Sequence, residues 1–274
     1  MKRYFRRQIA ITNEHGSWVF LLSPLLIGLF VGGQWTTPHL YLIIAALCGF
    51  LIRQPIVIAV KAYSGRRSRQ DLPAARFWIA VYGVIGLIML AGLVLRGYGY
   101  LLYLALPGLP VFGWHLWLVT RRAERRQAGV EIIASGVLAL SAPAVYWISV
   151  GSPESMGWWL WGLAWLQSAA SIVYAYLRLE QRGWKEIPAV KVRLKFGRRA
   201  LWYVSFNLAF TVVLSIAGWL PSWIFIPYLL QWGETLWGAL HPAAGVKPAK
   251  IGLRQLIVST LFTILFIITW KISS

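Results

Sequence analysis

Acidic residues are scarce in this 274-residue chain: eight Asp and Glu stand against 27 Lys and Arg, and one of the eight, Asp71, is the sole aspartate. Divalent cations need several carboxylate or similar oxygens, so one aspartate argues against magnesium chemistry built on aspartate-rich motifs. Cysteine is nearly absent too. Cys48 has no second cysteine to pair with, which excludes a disulfide scaffold. The four histidines fall into no H-x-x-H or H-E-x-x-H spacing, and C-x-x-C is impossible, so no metal site and no cofactor are expected. A Gly-rich, phosphate-cradling loop ending in Lys-Ser/Thr is also missing. Charged residues make up 13% and hydrophobic ones 58%. A soluble domain carries about 25% charged residues, so this composition excludes a water-soluble globule.

What the chain does have is long apolar runs. A hydrocarbon core about 30 Å thick takes roughly 20 apolar residues per helix. Nine segments meet that need: Ser17–Gly33, His39–Val60, Phe77–Leu95, Tyr100–Val119, Val130–Val150, Gly157–Leu177, Leu201–Trp219, Pro221–Leu240 and Ile251–Trp270. The fourth is broken by Leu106-Pro107-Gly108-Leu109-Pro110, which predicts a kink or a partial re-entry. The expected fold is therefore an all-α polytopic membrane bundle of about nine helices, forming one domain over residues 1–274.

Charge orients it. With nine spans, 24 of the 27 Lys and Arg fall on the N-terminal side of the bilayer and two, Arg96 and Lys271, on the other, with Arg53 inside a span. The positive-inside rule then places the N-terminus in the cytoplasm and the C-terminus outside. The net charge of +19 suits an anionic leaflet, and membrane lipids rather than nucleic acid are the expected partners. Among 17 tryptophans, Trp35, Trp147, Trp158, Trp159, Trp219, Trp223 and Trp270 fall at expected outer boundaries, where an indole belt is favoured. The longest loop is expected over about Arg178 to Ala200.

Polar side chains within or beside spans cost free energy to bury and are the default functional candidates. Most cluster at the cytoplasmic ends. Arg53 and Lys61, eight residues apart, share one face of the second helix, with Gln54 beside Arg53; Tyr174, Arg178 and Arg182 form a stripe on the sixth. Both stripes facing inward would make a cationic cavity open to the cytoplasm, and arginine's planar fork grips phosphate or carboxylate bidentately. His15, at the opening of the first helix, would add to that anion site. Glu180, Glu234 and His241 are candidates for balancing charge or relaying a proton. Gln167 and Asn207 are expected to hydrogen-bond between helices.

The opening Asn13-Glu14-His15-Gly16-Ser17-Trp18, followed by Leu22-Ser23-Pro24-Leu25-Leu26-Ile27-Gly28, resembles that of the bacterial YwiC-like integral membrane proteins. Phe50-Leu51-Ile52-Arg53-Gln54-Pro55, Tyr174 to Arg182, and His241-Pro242 through Lys247-Pro248 to Ile251-Gly252 resemble later motifs of that family. The resemblance implies a multi-pass protein of the bacterial cell membrane and carries no catalytic assignment. In layout the chain also resembles UbiA-type intramembrane prenyltransferases. Those proteins place aspartate-rich motifs after the second and sixth spans, where this chain has Arg53/Lys61 and Arg178/Arg182. The expected function is binding of an amphipathic anion, a phospholipid or isoprenoid phosphate, in the basic cavity. Transport of a small organic anion, with Glu234 or His241 as proton relay, and a lipid-embedded scaffold are the alternatives.

Overall fold

A computed structural model describes residues 7–11, 17–123 and 127–273, and among them every regular element is helical. In chain order these are α1 (Arg7–Ala10), α2 (Ser17–Gly32), α3 (Thr37–Tyr63), α4 (Leu72–Leu95), α5 (Leu102–Ala105), α6 (Gly108–Thr120), α7 (Ala128–Ala139), α8 (Ser141–Val150), α9 (Ser155–Gln181), α10 (Val190–Ile216), α11 (Phe225–Leu240) and α12 (Pro248–Ser273). Short 3-10 turns, Arg69–Asp71 and Gly99–Leu101, lead into α4 and α5. The protein is an all-α polytopic bundle.

Among the described residues, six helical stretches are long and apolar enough to cross a bilayer: Thr37–Tyr63, Arg69–Leu95, Gly99–Thr120, Ala128–Val150, Val190–Ile216 and Pro248–Ser273. The helices near the other three expected spans, α2, α9 and α11, fall short in length or apolarity. Gly99–Thr120 is interrupted around Leu106 and Pro107, where the proline-rich sequence predicts a break. The next stretch also divides, at Leu140 between α7 and α8, which hydropathy did not signal. The loop expected from Arg178 to Ala200 contracts, because α9 runs on to Gln181 and α10 starts at Val190. Lys and Arg are good helix formers, so both helices outlast their apolar segments. Pro188 then marks the start of α10, near the helix position where proline is tolerated.

Two helices organise the interior. Helix α2 packs against α7, α8, α9 and α12, and α9 packs against α7, α8, α10, α11 and α12. A Cβ on Gly28 would run into the carbonyl of Ala142, so glycine is what lets α2 lie directly on α8. Helices α3 and α4 pair extensively with each other, with α1 and α6 alongside α3. One apolar cluster joins Leu21, Leu25, Phe50, Val145 and Trp147; a second joins Leu160, Ile224, Tyr228, Phe262, Phe266 and Trp270. Trp147 and Trp270 are thus core residues rather than members of an interfacial belt. The Trp147 indole is held inward because it donates to the Glu154 carbonyl at 2.9 Å. His39 is fully buried near the start of α3, bonded to Thr36 at 2.8 Å and to Ser149 at 3.0 Å.

Candidate functional site: a basic cleft between α9, α11 and α12

The last turn of α9 meets the C-terminal end of α11, where backbone carbonyls lack helical partners and carry partial negative charge. Arg178 is buried against that end. Its Nη1 donates to the carbonyls of Gly238 and His241, both at 2.6 Å, and to Gln181 Oε1 at 3.0 Å. Gln181 Nε2 reaches the same Gly238 carbonyl at 3.3 Å, and Arg193 of α10 donates to the Leu240 carbonyl. Arg178 therefore acts first as a cap supplied by one helix to another. Its hydrogen bonds all pass through Nη1, leaving Nη2 and Nε unbonded among the described residues.

Helix α12 supplies the second part. Arg254 Nε and Nη2 grip the two carboxylate oxygens of Glu234, each at 2.7 Å. Planar guanidinium and planar carboxylate fit in this side-by-side manner. The Tyr174 hydroxyl donates to Glu234 Oε1 at 2.7 Å, and the Arg254 guanidinium lies 3.6 Å over the Trp237 ring. Gly238 makes room for Tyr174, since a Cβ there would collide with the phenol. The carboxylate is largely enclosed, whereas Arg254 remains substantially exposed on its outer edge.

These groups frame a cleft of about 250 Å³ lined by Tyr174, Arg178, Trp237, Lys250, Arg254 and Gln255, with Pro242, Val246 and Ile251 completing the wall. Lys250 and Arg254, four residues apart, share one face of α12. The lining holds three cations, and Glu234 is the anion paired with one of them, Arg254. Arg182 Nε donates to the Val246 carbonyl at 2.8 Å, fastening the loop after α11 to the end of α9.

Behind the cleft lies a buried run of polar side chains. Gln255 Nε2 donates to the Ser171 carbonyl. Gln231 Nε2 reaches Ser171 Oγ and the Gln167 carbonyl, both at 3.0 Å; Gln167 Nε2 reaches Ser171 at 3.1 Å and Ser259 at 3.4 Å. Farther along, Ser23 meets Thr263. Asn207 Nδ2 donates to the Leu166 carbonyl at 2.8 Å, so both expected interhelical amides make such bonds. Gln231 Oε1 and Asn207 Oδ1 are buried without partners among the described residues.

The structure thus brings together Tyr174, Arg178 and Glu234 from the expected set. Arg182 braces the adjoining loop; the His241 ring is exposed and stacks on Trp237, and Glu180 is exposed. Arg53, Gln54 and Lys61 do not line the cleft: they lie on α3, whose neighbours are α1, α4, α6 and α8, with Arg53 over the Phe50 ring at 5.5 Å. Helical spacing placed Arg53 and Lys61 on one face, but that face belongs to a different helix pair from α9. His15 lies outside the described residues. Sequence reasoning missed Lys250, Arg254 and Trp237, whose signals were an i,i+4 basic pair opening α12 and an aromatic one turn from Glu234. Among the described residues no group of three His, Cys, Asp or Glu could hold a metal ion.

A family described as YwiC-like protein matches residues 11–146. Over that stretch the chain is similar to this family. A protein of Bacillus subtilis (strain 168) described as "Uncharacterized protein YwiC" is 28% identical over 165 residues, covering 58% of this chain and 61% of the relative. The chain thus spans about three fifths of the length of the curated relative it matches. No solved structure matches. The YwiC-like stretch includes Arg53, Gln54 and Lys61 and ends before α9, so the cleft lies beyond it.

Proposed function

We propose that this YwiC-like membrane protein binds an amphipathic anion, a phospholipid or isoprenoid phosphate, with its head group in the cleft between α9, α11 and α12. The observation that carries the reading is the excess of cationic donors there. Arg178 offers Nη2 and Nε, Arg254 offers Nη1, and Lys250 offers a full ammonium, against the single carboxylate of Glu234. A cleft of about 250 Å³ is smaller than sites that enclose drug-sized molecules, which begin near 300 Å³, so it suits a head group whose tail stays along the apolar helix surface. The basic end of the bundle faces the cytoplasm in this reading, and the protein resides in the bacterial cell membrane.

Native mass spectrometry in detergent tests it, with dioctanoyl phosphatidate as probe and phosphatidylcholine as comparison. Phosphatidate should remain bound at high ionic strength and be lost in the Lys250→Ala, Arg254→Ala double variant, while Arg53→Ala retains it. Equal binding by the double variant, or equal loss in Arg53→Ala, refutes the site. A lipid-embedded scaffold held by diffuse charge would release phosphatidate as salt screens the attraction.

The buried run from Gln255 to Thr263 favours a second reading, transport of a small anion with Glu234 as the proton-exchanging group. Flux of radiolabelled phosphate into proteoliposomes, abolished by Gln231→Leu, would support it; absence of flux with binding intact leaves the first reading standing alone.

A further inference from the structure

Glu234 occupies a position from which it fixes the charge of the cleft. Its two oxygens accept from Arg254 and Tyr174, and it is not among the residues that line the cleft. Three lining cations less this one carboxylate leave a charge of two to be matched from outside. Arg178, one of the three, is buried, where an unmatched charge is costly, so the best-fitting anion is the one whose charge closes that difference.

We infer that Glu234 is a specificity-determining residue that tunes the cleft to a phosphomonoester dianion, in preference to a phosphodiester monoanion or a diphosphate ester. The inference rests on the anion-binding reading above and names its ligand class. The geometry fits such a head group. A terminal phosphate presents three equivalent oxygens, and three donors converge from two helices: the free edge of Arg178 on α9, and Lys250 and the Nη1 edge of Arg254 on α12. Arg254 cannot swing freely to wrap a larger group, because Glu234 clamps its Nε and Nη2 and the Trp237 face holds its plane. A diester keeps two ester arms that must leave past these donors and brings only one charge. A diphosphate brings about three charges, and its second phosphate meets no further cation among the lining residues.

The same chemistry could come from a lipid head group or from a free phosphate, and the experiment separates these sources. Calorimetric titration of the detergent-solubilised protein at about pH 8, where a phosphomonoester is close to a dianion, would use methyl phosphate, dimethyl phosphate, methyl diphosphate and dioctanoyl phosphatidate. Methyl phosphate should bind at least about tenfold tighter than the diester or the diphosphate, the scale on which charge mismatch discriminates between partners. Phosphatidate tighter than methyl phosphate identifies a lipid source; equal affinity identifies a soluble one.

Glu234→Gln keeps one acceptor oxygen, for Tyr174 and Arg254 Nε, gives up the bond to Arg254 Nη2, and adds one net positive charge, so the order should shift toward methyl diphosphate by about tenfold. Lys250→Ala, at an exposed position, removes one charge without disturbing the core and should shift the order toward dimethyl phosphate. Unchanged ranking in both variants overturns the role of Glu234 while leaving anion binding intact. No binding of any of the four by the wild-type protein overturns the cleft reading itself.

Discussion

Replacing Arg178 with alanine tests whether this buried cation holds the fold before it holds any ligand. In the native protein Nη1 donates to the Gly238 and His241 carbonyls at 2.6 Å each, at the end of α11 where helical partners have run out. A hydrogen bond from a charged donor contributes about 1.5 kcal/mol at the lower end of its range, so losing two removes about 3 kcal/mol. For a protein of this size each kcal/mol moves the midpoint by about 2–4 °C, giving an expected drop of roughly 6–12 °C. Gln181 still reaches Gly238, which keeps the figure from rising further. Tryptophan fluorescence or a cysteine-independent thermal shift in mild detergent would read the change. Arg199→Ala, at an exposed position on α10, serves as the reference and should move by no more than about 2 °C, as surface changes do. If Arg178→Ala melts with that reference, the carbonyl contacts contribute little and the capping role is refuted.

Two other outcomes follow from the packing and the charge distribution. Gly28→Ala should separate α2 from α8 and cost about 1–3 kcal/mol, as overpacking does, whereas Gly162→Ala in α9 meets open space and should be neutral or slightly stabilising; equal melting of the two variants refutes the contact. In a Cys48→Ser background, Lys250→Cys and Trp219→Cys, both exposed, should react with an impermeant thiol reagent from opposite faces of the membrane, Lys250→Cys from the cytoplasmic one. Labelling of both from one face refutes the assigned orientation.

Much of the helical layout was legible because apolar length and positive charge are carried by the residues themselves. The helix ends were not. A hydropathy window sees where lipid would be, but α9 and α10 continue through Arg178 and Lys191 because basic side chains sustain a helix beyond the apolar zone. The division at Leu140 had no signal of its own, since its surroundings are uniformly apolar. In the site, spacing puts Tyr174 and Arg178 on one stripe, and both line the cleft. Nothing in the sequence says that Arg254 pairs with Glu234, nor that Arg53 lies on a helix that does not border the cleft. Periodicity tells which residues share a face; which helix meets that face depends on close approaches such as that at Gly28, which a single sequence does not display.

The placement of α9 has a consequence for how the chain is built. This helix carries Gln167, Ser171 and Arg178, all buried, and each has a hydrogen-bond partner on α11 or α12, which are synthesised after it. Alone among lipid tails those groups would lack their interhelical partners, so α9 gains part of its comfort in the bilayer from helices that have yet to emerge. Biogenesis must shelter it, at the insertion machinery or against α2 and α8, until the final third of the protein arrives to complete its surroundings.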